Sequence, residues 1–390
     1  MKAVSPLSGV VVVEIGGSLS APFAAQTLGD LGAEVIKVER GDGDDARQWG
    51  APYIDGTSSN FHVTNRNKHG IVVELRDPQA RERLIDLIME RADVVLQNLR
   101  PGQVEKLGLD AQTLRARKPS LVYCNLGAFG RCGPLADRPG YDPLMQAFGG
   151  IMSVVGEEGR PPVRVGPSMV DIGTGMWAVI GIQAALMHRR ETGEGTTVDV
   201  SLFETAIGWM MGYVPRYVLD GEIAKPMGSG QVGIAPYRAF QTSDGYLVVA
   251  AGNDGLFKKL CHALDRTQWL DDARFTTNAV RFVHREALNA LIEAVMRGAS
   301  SATWMAKIEA SGVPCAPVHN VRDMVEHPQT QALGMIGTVP GTARVPQTLL
   351  PISFDGVRPL PRGGAPRLGE HSERYLGAVK PEKEDGTSKH

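Results

Sequence analysis

The sequence predicts an α/β protein: a large domain on a Rossmann-like parallel sheet, joined to a smaller α+β domain. Three observations predict it. Short β-branched runs alternate with helical stretches over the first 200 residues, the rhythm of strand–helix–strand units whose parallel sheet is covered on both faces. Past Asp220 the texture changes to a glycine-rich connector, a hairpin and several helices. The 390 residues, 43% hydrophobic and 22% charged, have ordinary globular composition and exceed one module, so two or three domains are expected, with no disulfide or metal needed for folding.

Gly9-Val-Val-Val-Val-Glu-Ile15 reads as a buried strand that ends in the turn Gly16-Gly17. A helix follows over 22–31, with Gly32 at its C-terminal cap, and then a strand over 34–39. The alternation continues with a strand over 71–75, a helix over 78–91, strands over 93–97 and 121–126 with a short helix between them, and a long helix from Asp171 to Arg190. Thr192-Gly-Glu-Gly195 turns the chain into a strand over 197–202 and a helix from Phe203. In the second half, 239–249 reads as a hairpin with Asp244-Gly245 in its turn, followed by helices over 256–264, 284–297 and 303–310. After Pro328 the chain is irregular, and 380–390 is polar enough to be disordered.

Lys and Arg number 41 against 43 Asp and Glu, a net charge of −2, which excludes a chain-wide basic footprint for nucleic acid. Cys124, Cys132, Cys261 and Cys315 have no metal-type spacing; they read as buried thiols of a reducing compartment, and no metal site is expected. The early apolar run 10–13 is too short for a secretion signal, and no stretch approaches the ~20 apolar residues that span a bilayer, so a cytoplasmic protein without a membrane partner is expected.

Glu39 ends the second strand where a dinucleotide-binding fold places its ribose-binding acid. The turn Gly16-Gly17-Ser18-Leu19-Ser20-Ala21 lacks the second glycine of that fingerprint, which goes against a nicotinamide cofactor. Asp171, at the start of a long apolar helix and fringed by glycines, fits two roles that spacing leaves open. It is either an N-cap that accepts from free backbone amides or a nucleophilic carboxylate. Arg40, Arg76, Arg100 and Lys106, with Asn98, fall at or just past strand ends, where open α/β sheets bind ligands. Together they suit a phosphorylated ligand, and singly each reads as solvated rim. The glycine cluster 228–233 reads as a linker before a mobile lid, and His371 as part of a structural turn before a residue that orients a carboxylate.

The strings themselves go further. Leu31-Gly-Ala-Glu-Val-Ile-Lys-Val-Glu-Arg40, Asn65-Arg-Asn-Lys68, Asn98-Leu-Arg-Pro-Gly102 with Leu107-Gly-Leu-Asp110, and Gly140-Tyr-Asp142 resemble the class III CoA-transferases of CaiB/BaiF type. Val198-Asp-Val-Ser-Leu-Phe-Glu204, Pro236-Tyr-Arg-Ala-Phe-Gln-Thr-Ser-Asp-Gly245 and Leu368-Gly-Glu-His371 continue the resemblance in family order over nearly the whole chain. That family includes the formyl-CoA and succinyl-CoA:dicarboxylate transferases.

The resemblance implies an interlocked, ring-shaped homodimer. Residues 1–200 would begin the large CoA-binding domain, 201–224 would be a linker helix, 225–325 the small domain, and 326–390 the return into the large domain. It implies that Asp171 is the catalytic carboxylate and that CoA and acyl-CoA are substrates, with no tightly bound cofactor. Arg40, Val73, Glu74, Leu75, Arg76, Asn98, Leu99, Arg100, Lys106, Gly127, Ala128, Phe129 and Gly130 would line the CoA site, and Leu19, Tyr141, Gly228, Gly230 and Gln231 the acid site. The chain departs from the pattern where some members have glutamine for Leu19, lysine for Gly127 and arginine for Lys106, positions that bear on the acid and on the CoA contacts. The rival within the same superfamily is a 2-methylacyl-CoA racemase, which resembles this chain but carries histidine where Tyr141 stands. Tyrosine, with an ordinary pKa near ~10, is a poor base at neutral pH, which favours transfer over racemisation.

Overall fold

The computed structural model describes residues 4–341 and 345–377, so the tail expected to be disordered, 380–390, lies outside the described residues. The chain divides into two compact units: Met1–Gly150 with Val165–Gly212 and Gln329–His390, and Ile151–Arg164 with Tyr213–Pro328. The segment 151–164, assigned by sequence to the large domain, thus groups with the second unit.

The main sheet of the first unit has six strands: β1 (Val11–Ile15), β2 (Glu34–Glu39), β3 (Lys68–Val72), β4 (Val94–Gln97), β5 (Val122–Gly127) and β6 (Thr197–Ser201). They lie side by side in the order 3-2-1-4-5-6, all pairs parallel. This is the strand order of dinucleotide-binding folds, in which the direction of winding reverses between β1 and β4 and opens a crevice at their carboxyl ends. Alternation along each strand sorts the core. Val13, Ile15, Ile36, Val38, Val95 and Tyr123 face one layer, with α2 (Pro78–Arg91) packed on it. Val12, Val35, Val94, Leu96, Val122 and Cys124 face the other, with α1 (Ser20–Asp30) and α4 (Met169–Thr192). Between α2 and α4 the short helix α3 (Asp142–Phe148) starts at the carboxyl end of the sheet, and α5 (Leu202–Trp209) follows β6.

Local chemistry sets the ends. Asp77 accepts from the Gln79 and Ala80 amides and Pro78 opens α2, so the boundaries read from sequence and structure coincide. Gly193, at φ 80°, closes α4 in the left-handed conformation that glycine adopts without strain. Strand β3 begins at Lys68 rather than at Ile71. Lys68 is buried against Glu14 at 2.7 Å, so a charged residue occupies a core strand position that hydrophobic patterning passes over. At 24 residues α4 is long and apolar enough, by length and composition, to cross a bilayer, which corrects the expectation that no stretch is. Thr174 and Gln183 interrupt its apolar run without breaking the helix, and Ala178, Val179, Ile182 and Ala185 pack on the sheet.

The returning segment seals the edge strand. His371 donates its amide N–H to Gly70 O at 2.9 Å while its ring Nδ1 accepts from Gly70 N–H at 3.3 Å, and Val72 N–H donates to Ser372 Oγ at 3.0 Å. His371 is therefore a structural residue of the sheet edge, stacked on His69 at 4.6 Å between ring centroids.

The second unit holds an antiparallel sheet of β7 (Tyr237–Gln241), β8 (Tyr246–Ala250) and β9 (Cys315–Pro317), with β8 in the centre. Phe240, Leu247, Phe257, Leu260, Leu288, Ile292 and Trp304 form its core. Of the four thiols, Cys124 and Cys261 are buried, whereas Cys132 is exposed, which corrects its reading as a buried thiol: it lies in the surface turn that follows β5.

Candidate active site

A cavity of about 670 Å³ opens at the carboxyl ends of β1, β2, β4 and β5, at the crevice the topology prescribes. Its wall is built from Ile15–Ser18 and Ser20, from Glu39 and Arg40 beyond β2, from Val73, Glu74, Leu75 and Arg76 beyond β3, and from Asn98, Leu99, Arg100 and Lys106 beyond β4. Gly127 and Ala128 beyond β5, Tyr141, Leu202 and Asp171 complete it, together with Trp49. The sequence-predicted residues thus converge from distant segments on one cavity, four of them basic.

Several do not. Phe129 packs edge-on against Phe148 at 5.3 Å and beside Phe203 at 5.9 Å, away from the wall. Gly130, at φ 93°, lies against Glu204 and Ser201. Leu19 caps α1, its carbonyl accepting from Phe23 N–H at 2.8 Å. Gly228, Gly230 and Gln231 belong to the second unit, where Gly228 N–H donates to Gly156 O at 2.6 Å. A larger cavity, about 990 Å³, lies among Glu34, His69, Arg362 and His371; it holds none of the predicted site residues. Two of its cations are committed to structure, Arg47 to Glu39 and Arg362 to the Gly29, Gly32 and Ala33 carbonyls.

Asp171 is the third residue of α4 and not its N-cap, which is Ser168, and Ser168 makes no side-chain cap bond. The cap is supplied from α3: Asp142 Oδ2 accepts from Val170 N–H at 2.8 Å and from Asp171 N–H at 3.2 Å. Gln146 holds the other oxygen of Asp142 at 2.6 Å and, through its own carbonyl, accepts from Val165 N–H at 2.8 Å. With its capping role taken by Asp142, the Asp171 side chain is left on the cavity wall, which Ser20 also lines. Burial, and after it the negative Asp142, push its carboxyl up to about 6. Sequence reading quoted Asp142 for resemblance but gave it no part in the site. Its signal was the spacing of a second acid before a helix, which means nothing until the two helix starts are seen together.

The nucleotide features of the fold are used internally. Glu39 is held by Arg47 through two bonds of 2.8 and 2.7 Å. Gly17 N–H donates to Asn98 Oδ1 at 3.1 Å, and Ser18 N–H to Asp44 Oδ1 at 3.0 Å. The acid and the turn amides that would hold a dinucleotide already have partners within the chain.

The site is a cavity whose wall carries the Asp171 carboxyl and four basic side chains, of which Arg40 is paired with Asp42 and Asp45, beside the acids Glu39, Asp44, Asp45 and Glu74; Arg76, Arg100 and Lys106 suit a phosphorylated ligand. Comparison with known proteins agrees. The sequence model of CoA-transferase family III matches residues 7–372. The chain is 35% identical over 385 residues to the succinate–glutarate CoA-transferase of Agrobacterium fabrum, covering 95% of each. It is 35% identical over 372 residues to the acetyl-CoA:oxalate CoA-transferase of Acetobacter aceti, covering 95% of this chain and 94% of that one. The crystal structure of a CaiB/BaiF family protein from Brucella suis superposes with a TM-score of 0.85 at 40% identity, covering 95% of this chain and 98% of the other. With the fold, the cavity and a match that spans both units, the chain belongs to CoA-transferase family III and is a CoA-transferase.

Proposed function

We propose that this enzyme moves CoA from an acyl-CoA, succinyl-CoA foremost, to a small dicarboxylic acid, with Asp171 as the covalent relay. The observation that carries the reading is a half-buried carboxylate, its pKa raised by desolvation and by Asp142, on the wall of a cavity that also holds four basic side chains at the sheet's switch point. The similar proteins of Agrobacterium fabrum and Acetobacter aceti, whose names specify succinate, glutarate and oxalate, support the acid class.

In the proposed sequence the Asp171 carboxylate attacks the thioester carbonyl and the C–S bond breaks, leaving an aspartyl–acyl anhydride and a CoA thiolate. The thiolate attacks the aspartyl carbonyl, expelling the first acid and forming an aspartyl–CoA thioester. The carboxylate of the incoming acid attacks that thioester to give a new anhydride and thiolate, and attack of the thiolate on the acyl carbonyl releases the new acyl-CoA and Asp171. Over the whole cycle one acyl–CoA thioester is broken and one is formed, so the exchange needs no other energy source. Arg76, Arg100 and Lys106 suit the CoA phosphates, and Arg40, paired with Asp42 and Asp45, stands beside them. The amino-terminal ends of α1 and α4, where Ser20 and Asp171 lie, favour the negative charge that develops at each attack.

Incubation with a panel of acyl-CoAs and free acids, followed by mass spectrometry, tests the reading. Acid-dependent appearance of a new dicarboxyl-CoA is expected. Exchange confined to monocarboxylates would remove the dicarboxylate assignment. Solvent deuterium at the α-carbon of a 2-methylacyl-CoA without exchange would replace transfer by racemisation.

The pH dependence follows from the raised carboxyl. Only ionised Asp171 attacks, so the rate is expected to fall as pH drops through about 6 and to level off above 7. Asp142→Asn removes a negative neighbour and moves this limb to lower pH; a rate profile with its limb unmoved would contradict the pairing.

The homodimer is proposed on a separate ground. Met176, Trp177, Ile180 and Met187 of α4 and Ile207 and Trp209 of α5 leave large apolar side chains exposed in the single chain, a face that a second copy would cover. Light scattering is expected to give twice the chain mass, and a monomer would refute it.

A further inference from the structure

Two neighbouring strands end in the cavity. Val73, Glu74, Leu75 and Arg76 line its wall directly after β3, and Glu39 and Arg40 line it at the end of β2. Val73 N–H donates to Glu39 O at 2.9 Å, so the two strand ends make one stretch of wall. Strand β3 is the edge of the sheet and pairs with β2 on its inner side. Its outward amides need partners from elsewhere in the chain.

One turn of the returning chain, around the string Leu368-Gly-Glu-His371, supplies them. His371 bonds both polar groups of the Gly70 backbone, and Ser372 Oγ accepts from Val72 N–H at 3.0 Å, one residue before the wall begins. The turn braces itself: Arg367 N–H donates to Glu370 Oε2 at 2.8 Å, and Ser372 N–H to Gly369 O at 3.0 Å. Its approach to β3 is close. A Cβ on Gly70 would lie 3.1 Å from Pro366 and from Arg367 O. A Cβ on Gly369, which stands at φ 68°, would lie 3.2 Å from the Val72 side chain. The turn reaches β2 through Arg47, which is buried. This guanidinium donates to Pro366 O at 3.1 Å while it holds both oxygens of Glu39, and it lies over the Phe61 ring, 3.8 Å from its centroid.

We propose that the turn 366–372 is a positioning clasp for the CoA cavity: it fixes the ends of β2 and β3, and with them Arg76 and the backbone of 73–76, in the arrangement that binds CoA. Ser372 and Arg47 are its positioning residues, one for each strand end. The inference rests on the reading of this cavity as the CoA site. On its other flank the same stretch is anchored at α2, where Arg81 donates to Leu75 O at 2.8 Å and Asp77 N–H to Glu74 O at 3.0 Å. A wall fixed before the ligand arrives loses little freedom on binding, so release of the clasp lowers affinity for CoA. It leaves the chemistry at Asp171, on α4, unaltered.

Titration calorimetry with free CoA tests this, because it reads affinity and number of sites separately. A contact that serves folding alone would, when lost, lower the number of sites and leave the affinity of the folded remainder as it was. Ser372→Ala is expected to weaken CoA binding about fivefold with the number of sites unchanged, the scale of one hydrogen bond. Ser372→Thr, which keeps the hydroxyl, restores the affinity. Gly369→Ala, which pushes the turn off Val72, weakens binding by a second route. Arg100→Met, beyond β4, marks the cavity itself and is expected to weaken binding as well. Wild-type affinity in folded Ser372→Ala and Gly369→Ala, with Arg100→Met weakened, overturns the clasp and keeps the cavity as the CoA site. Wild-type affinity in all three removes the cavity reading and the clasp together. Weakening in the turn variants alone keeps the clasp and takes Arg100 out of the site, and a Ser372→Thr as weak as Ser372→Ala overturns the part given to the hydroxyl.

Discussion

Replacing Asp171 by Asn is expected to abolish CoA transfer and, at the same time, to make the protein more stable. An amide nitrogen is too poor a nucleophile to form the anhydride, so exchange should fall by at least about a thousandfold, the scale of losing an attacking group while the rest of the site remains. The stability gain comes from the same carboxyl. Its folded-state value is about 6 against an ordinary 3.8, so the folded protein holds the proton more tightly than the unfolded chain does. Stability from this group is complete below about 3.8 and is lost as pH rises through 6. At neutral pH the ionised Asp171 costs roughly 2–3 kcal/mol, at 1.36 kcal/mol per pKa unit. Asparagine keeps the shape without the buried charge, so the variant should melt about 5 °C higher at pH 7.5, with the difference vanishing near pH 4. Calorimetry at the two pH values checks this. Equal melting at pH 7.5 would show that Asp171 is ordinary and well solvated. The trade of stability for a reactive group is characteristic of catalytic sites.

The second large effect is expected at Lys37, whose side chain is fully buried in the middle of β2. Its ammonium lies 3.0 Å from Glu14 and 2.9 Å from Asp44, carboxylates that are themselves almost completely buried. Burial would lower the Lys37 pKa, but these two carboxylates, with Glu39 nearby, overcome it and hold the lysine charged well above its ordinary value. Lys37→Met leaves the buried Asp44 without its cation and Glu14 with Lys68 alone, and the loss should be about 3–5 kcal/mol. It should read as a lower urea midpoint at unchanged slope. Removing the acid that loses its cation, in Lys37→Met/Asp44→Asn, should recover part of it, because a buried pair costs less absent than broken. A single variant within about 1 kcal/mol of wild type would mean that the acids take up protons or water without penalty.

These two residues also show what the sequence makes legible. Helix α2 was readable to the residue because Asp77 and Pro78 mark its start by local chemistry. The hairpin of β7 and β8 was readable from its Asp244-Gly245 turn. The start of β3 was not, because Lys68 and His69 break the apolar pattern and the reason Lys68 is buried, Glu14, lies 54 positions away in another strand. The cavity wall was legible through resemblance: strand-end residues such as Arg76 and Arg100 carry no signal of convergence by themselves. Asp171 was named correctly as a position at a helix start, yet its cap came from Asp142, a relation between two helices that spacing within either does not contain.

The central claim is that CoA passes through Asp171, and trapping the passage tests it most directly. Wild-type enzyme mixed with succinyl-CoA, quenched in acid, digested and analysed by mass spectrometry should carry CoA as a hydroxylamine-sensitive thioester on the peptide that contains Asp171. The adduct should disappear when excess dicarboxylic acid is added before the quench, and Asp171→Asn should show neither adduct nor exchange. Exchange that persists in Asp171→Asn, or a CoA adduct on a different residue, would contradict the account.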